Sequence, residues 1–188
     1  MNIRSAKFIK GVVGTDKIFE DGTPQIVFIG RSNVGKSSVI NSLANQNLAR
    51  AGSTPGLTQQ INIFSINKAF YLVDLPGYGF AKRSGEVRQQ IQKMLHWYFF
   101  KSGYDFKKVI LIVDAKVGPT KDDMNVYDSL QKANKVIIIV ANKVDKIKKS
   151  EYAEQLQKIK DCFCDHKVIP YSAEKRIGVG ELTHELLK

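Results

Sequence analysis

The segment Gly30–Ser37 constrains the fold of this chain more strongly than any other part of its sequence. It reads G-R-S-N-V-G-K-S and stands between an apolar run, Gln25–Ile29, and an apolar helical pattern. In this strand–loop–helix context, the pattern G-x-x-x-x-G-K-S predicts a loop whose backbone N–H groups surround phosphate oxygens near a helix N-terminus. We expect Lys36 to reach the terminal phosphates and Ser37 to offer an oxygen ligand to Mg²⁺. The expected phosphate-contacting residues are Gly30, Arg31, Ser32, Asn33, Val34, Gly35, Lys36, Ser37 and Ser38.

Short apolar and β-branched runs alternate with helical patterns along the rest of the chain. Most runs are continuously apolar, which is typical of strands buried on both faces. This alternation predicts an α/β fold, with a mostly parallel central sheet and helices on both faces. Because no linker or repeat divides the chain, we expect one domain over residues 1–188, with residues 1–22 as an N-terminal extension packed on it. The predicted strands are Gln25–Ile29, Gln60–Ile66, Ala69–Val73, Lys108–Val113, Lys135–Ala141 and Lys167–Pro170.

The charge of the chain is unbalanced, because 29 Lys and Arg residues stand against 18 Asp and Glu residues, a formal net charge of +11. This excess indicates an anionic partner: a nucleic acid, a phosphate ligand or an anionic membrane. The 43% hydrophobic content excludes a disordered chain. Cys162 and Cys164 have neither zinc-site nor disulfide-framework spacing, and no apolar run is long enough to span a bilayer. Residues 1–14 lack a secretory apolar region, and we expect a cytoplasmic protein with reduced thiols.

Two further segments are expected to contact a bound phosphate group and its metal ion. Asp74-Leu75-Pro76-Gly77 follows a predicted strand, and this pattern predicts a carboxylate linked to Mg²⁺ and a Gly77 N–H that binds the terminal phosphate. Upstream, the breaker-rich stretch Thr54–Thr58 contains Gly56 and Leu57, which we expect to contact the nucleotide. Thr58 is the preferred third Mg²⁺ ligand after Ser37 and Asp74, and Thr54 is the alternative.

The sequence Asn142-Lys143-Val144-Asp145 follows another predicted strand and indicates guanine recognition. Guanine offers two donors on one edge, N1–H and the 2-amino group, and one carboxylate can accept both, whereas adenine has no such pair. Asp145 is therefore the expected guanine reader, and the Lys143 stem is expected to cover the ring. Asn142 either bonds the base edge or braces the loops. After the last strand, Ser172-Ala173-Glu174 would place the Ala173 N–H against guanine O6.

These five pieces, in this order and spacing, resemble the translation-factor-related class of GTPases. The strings G-R-S-N-V-G-K-S, P-G-L-T, D-L-P-G-Y-G-F-A-K and V-D-A-K-V-G-P-T-K-D-D are similar to those of the EngB (YihA/YsxC) family, over nearly the whole chain. The resemblance implies a P-loop GTPase fold, GTP binding with Mg²⁺, slow hydrolysis and a role in assembling the large ribosomal subunit in bacteria. One departure is Asn142, where many relatives carry Thr; the Asp145 contact should be intact.

The residue after Gly77 bears on the rate of hydrolysis. In Ras-type GTPases a Gln at this place orients the attacking water, whereas this chain has Tyr78. We therefore expect slow intrinsic turnover that a partner or a cation raises. Asn33 either holds a K⁺ beside the phosphates, as in similar GTPases, or merely tolerates a tight turn. The residues expected to take part in hydrolysis are Lys36, Thr58, Gly77 and Asn33.

Much of the positive charge falls in one segment. Residues 82–108 contain seven basic and two acidic residues, a net +5, and the segment includes the aromatic-rich run His96–Phe100. Tyr98 is expected in the core, whereas the sequence leaves Trp97 undecided. The segment begins beside Asp74–Lys82, named the switch segment below, and we expect an RNA-facing surface there. A second cluster, Lys143–Lys149, flanks the expected base reader.

The favoured function is a nucleotide-switched assembly factor that docks on ribosomal RNA and proteins of the large subunit when GTP is bound. A monomer is expected, with no DNA or membrane partner. The alternative is a GTP-gated scaffold in cell division or septation with negligible hydrolysis. An ATP-dependent kinase or ATPase is a third reading, which the guanine logic of Asp145 disfavours.

Overall fold

Seven strands form one sheet in the order β1-β3-β4-β2-β5-β6-β7. The computed structural model describes residues 2–49, 60–79, 85–163 and 166–188. The strands are β1 (Ala6–Val12), β2 (Gln25–Gly30), β3 (Ile61–Ile66), β4 (Phe70–Asp74), β5 (Lys108–Asp114), β6 (Ile137–Asn142) and β7 (Val168–Pro170). The helices are α1 (Lys36–Ala44), α2 (Gly85–Phe100), α3 (Lys121–Lys132), α4 (Tyr152–Cys162) and α5 (Val179–Leu187), with short 3-10 helices at Lys17–Glu20, Val144–Lys146 and Lys149–Glu151.

Five strands of the sheet run parallel, from β4 through β2, β5 and β6 to β7, whereas β1 and β3 are antiparallel to their neighbours. The parallel strands therefore start at one edge and end at the other. We call the edge where β2, β4, β5 and β6 end the carboxyl edge, and the edge where they start the amino edge. Ligands of such sheets bind beyond the carboxyl ends of the strands.

The core lies in two layers, one on each face of the sheet. On one face β2 and β5 pack against α2, α3 and α4, which contribute Leu95, Leu130 and Ile159 among others. On the other face the same strands pack against α1 and α5, through Ile40 and Leu182. The predicted mostly parallel α/β sheet with helices on both faces is therefore confirmed.

The six predicted strands are all present, with bounds within two residues of those expected. The sequence reading did not identify β1, which pairs antiparallel with β3. This edge strand exposes Phe8 and Ile9 and changes register between Phe8 and Lys10, so its residues do not follow a regular inside–outside alternation. Within the N-terminal extension, β1 is thus an integral strand of the sheet. No helix within the described ranges is long and apolar enough to cross a membrane.

Candidate nucleotide-binding site

The phosphate loop joins the end of β2 to the start of α1 and requires glycine at two positions. A Cβ on Gly30 would lie 2.6 Å from the carbonyl oxygen of Ile112. Gly35 has φ +90°, and a Cβ there would lie 2.5 Å from Nδ2 of Asn142. Both positions therefore need a residue without a side chain, because backbone and neighbouring groups already occupy the space. Ser37 and Ser38 lie in the first turn of α1, where the sequence placed them.

A buried ion pair lies at the centre of the site. The Lys36 ammonium, on the first residue of α1, donates to Oδ1 of Asp74 at the end of β4. The residues are only 9% and 1% exposed, so each charge depends on the other for compensation. The structure thus brings together the two groups that the sequence assigned to the phosphates and to Mg²⁺. Leu75 and Pro76 are buried beside them, and Leu75 N–H donates to Phe28 O over 3.0 Å.

Asn142 links two loops of the site. Its Nδ2 donates to Val34 O over 2.8 Å, and its Oδ1 accepts the Ala173 N–H over 3.2 Å. Asn142 is 2% exposed at the end of β6, so both amide atoms find protein partners. Of its two expected roles, loop bracing is the one observed. The contact of Ala173 with guanine O6 stays a prediction, since its N–H is directed at Asn142.

Lys143 ties the phosphate loop to a carboxylate that the sequence analysis had not assigned. Its ammonium donates to Asn33 O over 2.8 Å and to Oδ2 of Asp114 over 2.7 Å. Asp114 ends β5 and is 7% exposed, and its Oδ1 accepts the backbone N–H groups of Lys116 and Val117. The signal available in the sequence was an acidic residue directly after a predicted buried strand, the same signal that identified Asp74.

The Asp145 carboxylate has one satisfied oxygen and one without a hydrogen bond. Oδ1 accepts from the Ser172 hydroxyl over 2.5 Å. Oδ2 is buried and has no hydrogen-bond donor within the described residues; the Lys146 ammonium lies 3.2 Å away, outside hydrogen-bond geometry. Buried acceptors are nearly always bonded, so this oxygen is suited to a ligand donor.

The neighbours of Asp145 keep it ionised. Burial raises the pKa of the Asp145 carboxyl, but the Ser172 hydrogen bond and the nearby Lys146 outweigh burial, and the pKa lies below its usual value. An ionised carboxylate only accepts hydrogen bonds, which matches the two donors on the guanine edge. Glu174 is exposed and binds Lys146 over 2.8 Å, so it acts on Asp145 through that lysine.

Tyr78 is anchored to α3. Its ring is 6% exposed, and its hydroxyl donates to Oδ1 of Asp123 over 2.7 Å. Asp123 also caps α3, because its Oδ2 accepts from the backbone and hydroxyl of Thr120. Burial and the charge of Asp123 raise the pKa of Tyr78 well above its ordinary value. The hydroxyl is therefore neutral and donates its hydrogen bond to Asp123 of α3. This fits the expectation that Tyr78 does not replace a water-orienting Gln.

The start of the switch segment is bonded to the phosphate loop through main-chain atoms. Ser32 N–H donates to Tyr78 O over 2.8 Å, and the Ser32 hydroxyl donates to Gly77 O over 3.3 Å. Arg31 forms an isolated parallel bridge with Tyr78. The loop and the Asp74–Gly77 turn thus form one hydrogen-bonded unit. Thr54, Gly56, Leu57 and Thr58 lie outside the described residues, so their expected contacts stay predictions.

Asn33 is an exposed residue of the loop with φ +69°. Asn tolerates this left-handed conformation better than most residues, so the turn interpretation has direct structural support. The exposed side chain is also compatible with the cation interpretation, which stays a prediction.

The described basic residues of segment 82–108 do not form one surface beside the switch segment. α2 runs from the carboxyl edge to the amino edge, since Tyr98 near its end donates to Gln25 at the start of β2. Its 16 residues span about 24 Å, at 1.5 Å per residue. Lys101, Lys107 and Lys108 therefore lie far from the switch segment, and the expected location is wrong for them. Lys82 and Arg83 lie outside the described residues.

The aromatic run is divided between the core and the surface. Tyr98 is fully buried, as expected, and Phe99 is 7% exposed. Trp97 is half-buried and packs edge-on against Tyr104, with ring centroids 5.7 Å apart. His96 and Phe100 are the exposed members, so most of this run serves packing and not base stacking.

Known proteins resemble the chain in sequence and in fold. A family model described as 50S ribosome-binding GTPase matches residues 25–143, and one described as elongation factor Tu GTP binding domain matches residues 100–188. A probable GTP-binding protein EngB of Acholeplasma laidlawii is 40% identical over 187 residues, which cover 98% of this chain and 97% of the relative. The protein of that description from Clostridium perfringens is 40% identical over 190 residues, covering 99% and 96%. A crystal structure of a probable GTP-binding protein engB has a TM-score of 0.73 at 26% identity, covering 87% of this chain and 96% of that chain.

Proposed function

Because the chain belongs to the EngB family of P-loop GTPases, we propose that it is a GTP-switched factor that binds and helps to assemble the large ribosomal subunit. In this proposal the GTP-bound form docks on the subunit, and hydrolysis releases it. The observation that carries the guanine-nucleotide part is the buried Oδ2 of Asp145, an ionised acceptor without a hydrogen bond at the carboxyl edge.

The ribosomal part of the proposal is supported by the matched family and by charge. The family model that covers residues 25–143 is described as a 50S ribosome-binding GTPase. The nucleotide site uses little of the net charge of +11, because Lys36 and Lys143 are each paired with a carboxylate. Most of the excess is therefore available for a second anionic partner, and ribosomal RNA is the polyanion that the proposal requires.

The residues of the site suit Mg²⁺. Ser37 and Asp74 are hard oxygen donors; Ser37 follows Lys36 in the first turn of α1, and Lys36 pairs with Asp74 at the end of β4. In the proposal these two residues hold the ion, together with Thr58, which lies outside the described residues. Bound Mg²⁺ would neutralise charge on the phosphates. Lys36 would then exchange its contact with Asp74 for the phosphate oxygens.

Slow intrinsic hydrolysis is part of the proposal because Tyr78 is bonded to Asp123. Acceleration then has to come from the subunit or from a K⁺ held near Asn33. The GTPase rate in K⁺ and in Na⁺ tests the second source: equal rates, also in Asn33→Ala, would exclude it. The anchored Tyr78 also favours the second candidate function, a GTP-gated scaffold in cell division with negligible hydrolysis.

Single-turnover hydrolysis with and without purified large subunits separates the two functions. The assembly factor predicts stimulation by large subunits, and the scaffold predicts none. Co-sedimentation with large subunits adds the nucleotide dependence, measured with a non-hydrolysable GTP analogue, with GDP and without nucleotide. Asp145→Asn is the matched control, because it should lose docking with the GTP analogue and regain it with the corresponding xanthosine analogue. Equal co-sedimentation with the GTP analogue, with GDP and without nucleotide would contradict the proposal.

A further inference from the structure

Six lysines that are scattered in sequence meet at the amino edge of the sheet. Lys107 and Lys108 lie at the start of β5, Lys135 precedes β6 and Lys167 precedes β7. Lys101 follows α2 and Lys188 follows α5, and both helices end at this edge. We call these six residues the amino-edge cluster. The topology produces it, because β5, β6 and β7 each start where the preceding helix ends.

Acidic residues also lie near this edge, but among the described residues only Glu181 and Glu185 form ion pairs with the cluster. Lys167 pairs with Glu181 and Glu185, at 3.0 and 2.8 Å. Lys101, Lys107 and Lys188 have no ion pair with any residue that the structure describes, although Asp105 lies close in sequence to Lys101 and Lys107. The Lys135 ammonium lies 4.3 Å from the centroid of the Phe106 ring.

Two lysines of the cluster, Lys107 and Lys188, repel the Lys108 ammonium. Burial has the largest effect and lowers the pKa of Lys108. The charges of Lys107 and Lys188 lower this pKa further. The charge of Glu185 raises it, but by less than Lys107 lowers it. The Lys108 ammonium is held in place by the Glu185 carbonyl oxygen. Like charges gathered without partners cost free energy in the free protein, and a polyanion would relieve this cost.

We propose that the amino-edge cluster is the surface by which the chain binds the phosphate backbone of ribosomal RNA. The inference rests on the proposed ribosomal function and names the docking surface. Lysine is depleted in protein–protein interfaces, whereas interfaces with nucleic acids are strongly positive, so an RNA partner fits the cluster better than a protein partner. The surface lies at the opposite edge of the sheet from Asp145, so nucleotide and RNA can be bound at the same time.

The test compares two triple variants of the full chain that lose the same charge. Lys101→Gln, Lys107→Gln and Lys188→Gln remove three exposed members of the cluster. Lys121→Gln, Lys149→Gln and Lys158→Gln remove three exposed lysines elsewhere, two of them near the carboxyl edge. The probes are protein-free RNA from large subunits and whole large subunits, with the GTP analogue bound. Melting temperature and GTP affinity show whether each variant is folded.

In the cluster variant we expect the slope of log K against log salt to become shallower by about 2 to 3, since each phosphate contact contributes about 0.7 to 0.9. Near 0.1 M salt this corresponds to a loss of roughly 100- to 1000-fold in affinity for RNA. The matched variant should lose less than about 3-fold, and both should keep wild-type GTP affinity. Equal losses in the two variants would overturn the inference.

Two further outcomes separate this inference from the proposed function. If the wild type binds whole subunits but not protein-free RNA, the partner is a ribosomal protein and the inference fails while the proposed function stands. If the wild type binds neither probe, the proposed function itself fails. Vesicles with anionic lipid headgroups are the third probe. A loss of vesicle binding as large as the loss of RNA binding in the cluster variant would overturn the choice of RNA.

Discussion

Both edges of the sheet carry lysines, but the lysines of the nucleotide site are paired with carboxylates, whereas three exposed lysines of the amino-edge cluster, Lys101, Lys107 and Lys188, have no ion pair with a described residue. At the carboxyl edge, Lys36 pairs with Asp74, Lys143 with Asp114 and Lys146 with Glu174. At the amino edge, Lys107 and Lys188 have no ion pair in the described part of the chain. The hydrogen bond from its ammonium to Glu174 and the nearby charge of Asp145 raise the pKa of Lys146, whereas burial and neighbouring lysines lower that of Lys108.

This difference separates a site that is organised in advance from a surface that is not. Paired charges hold the loops of the carboxyl edge in position, and a ligand exchanges partners with them at a defined place. Unpaired exposed charges of the amino edge fix no geometry, and they contribute attraction that depends on salt. Single substitutions should therefore have large effects at the carboxyl edge and small effects at the amino edge.

The largest effect is expected for Asp145→Asn. The variant loses two hydrogen bonds from guanine to a charged acceptor, each worth about 1.5 to 3 kcal/mol, which corresponds to roughly a 10²- to 10⁴-fold weaker GTP affinity. Affinity for xanthosine triphosphate should rise, because xanthine presents an acceptor where guanine has its amino group. Calorimetric titration with both nucleotides measures the exchange. The matched variant Asp161→Asn, at an exposed position in α4, should bind GTP like the wild type. Unchanged GTP affinity in Asp145→Asn would contradict the assignment of the base reader.

The next effect contrasts one lysine from each edge. Lys36→Met leaves the buried Asp74 carboxylate without its partner, and we expect the free energy of unfolding without nucleotide to fall by about 3 to 5 kcal/mol. Lys107→Gln removes an exposed, unpaired charge and should change it by less than about 0.5 kcal/mol. Urea unfolding followed by circular dichroism measures both. Adding Asp74→Asn to Lys36→Met should recover part of the loss. Similar values for the two single variants would remove the contrast between the edges.

A smaller effect is expected where the carboxyl edge is joined to α3. Tyr78→Phe deprives Oδ1 of Asp123 of its donor, and the free energy of unfolding should fall by about 1 to 2 kcal/mol. The single-turnover GTPase rate of the folded variant should stay within about 2-fold, because the hydroxyl is bonded to α3. A large drop in this rate without a matching loss of stability would show that the phenol acts in hydrolysis. Tyr152→Phe, on half-buried Tyr152 of α4, is the control.

The smallest effect concerns the pKa of Lys108 at the amino edge. Lys107→Gln with Lys188→Gln should raise this pKa towards its ordinary value of 10.5, since two like charges are removed. NMR titration of the lysine side chains measures the shift. The pKa of Lys108 is lower in the folded than in the unfolded protein. The free energy of unfolding should therefore rise with pH between the folded-state pKa and about 10.5, and the variant should show a smaller rise. Added RNA should also raise the pKa in the wild type. An unchanged pKa in the variant would show that the cluster is too dispersed to act as one surface.

The parts of the site that the sequence revealed are those whose chemistry is local. The loop Gly30–Ser37 specifies its own turn and helix start, Asp74 directly follows an apolar run that can be recognised as a strand, and Asp145 belongs to the short motif Asn142–Asp145 that follows another such run. Asp114 gave the same signal but had no motif partner in sequence, because Lys143, which binds it, lies 29 residues later. β1 was missed since an edge strand with exposed Phe8 and Ile9 has no regular burial pattern.

The sequence by itself determined the α/β class and the phosphate loop and predicted the guanine reader, because these depend on short-range patterns and on the functional groups of a few residues. The tertiary structure decided which side chains bond across the sheet: Tyr78 with Asp123, Asn142 with both loops, and Lys143 with Asp114. It also decided where the basic residues lie, because the two ends of one helix, although close in sequence, lie at opposite edges of the sheet. Charge composition thus predicts that an anionic partner exists, but only the course of the chain through space decides where that partner can bind.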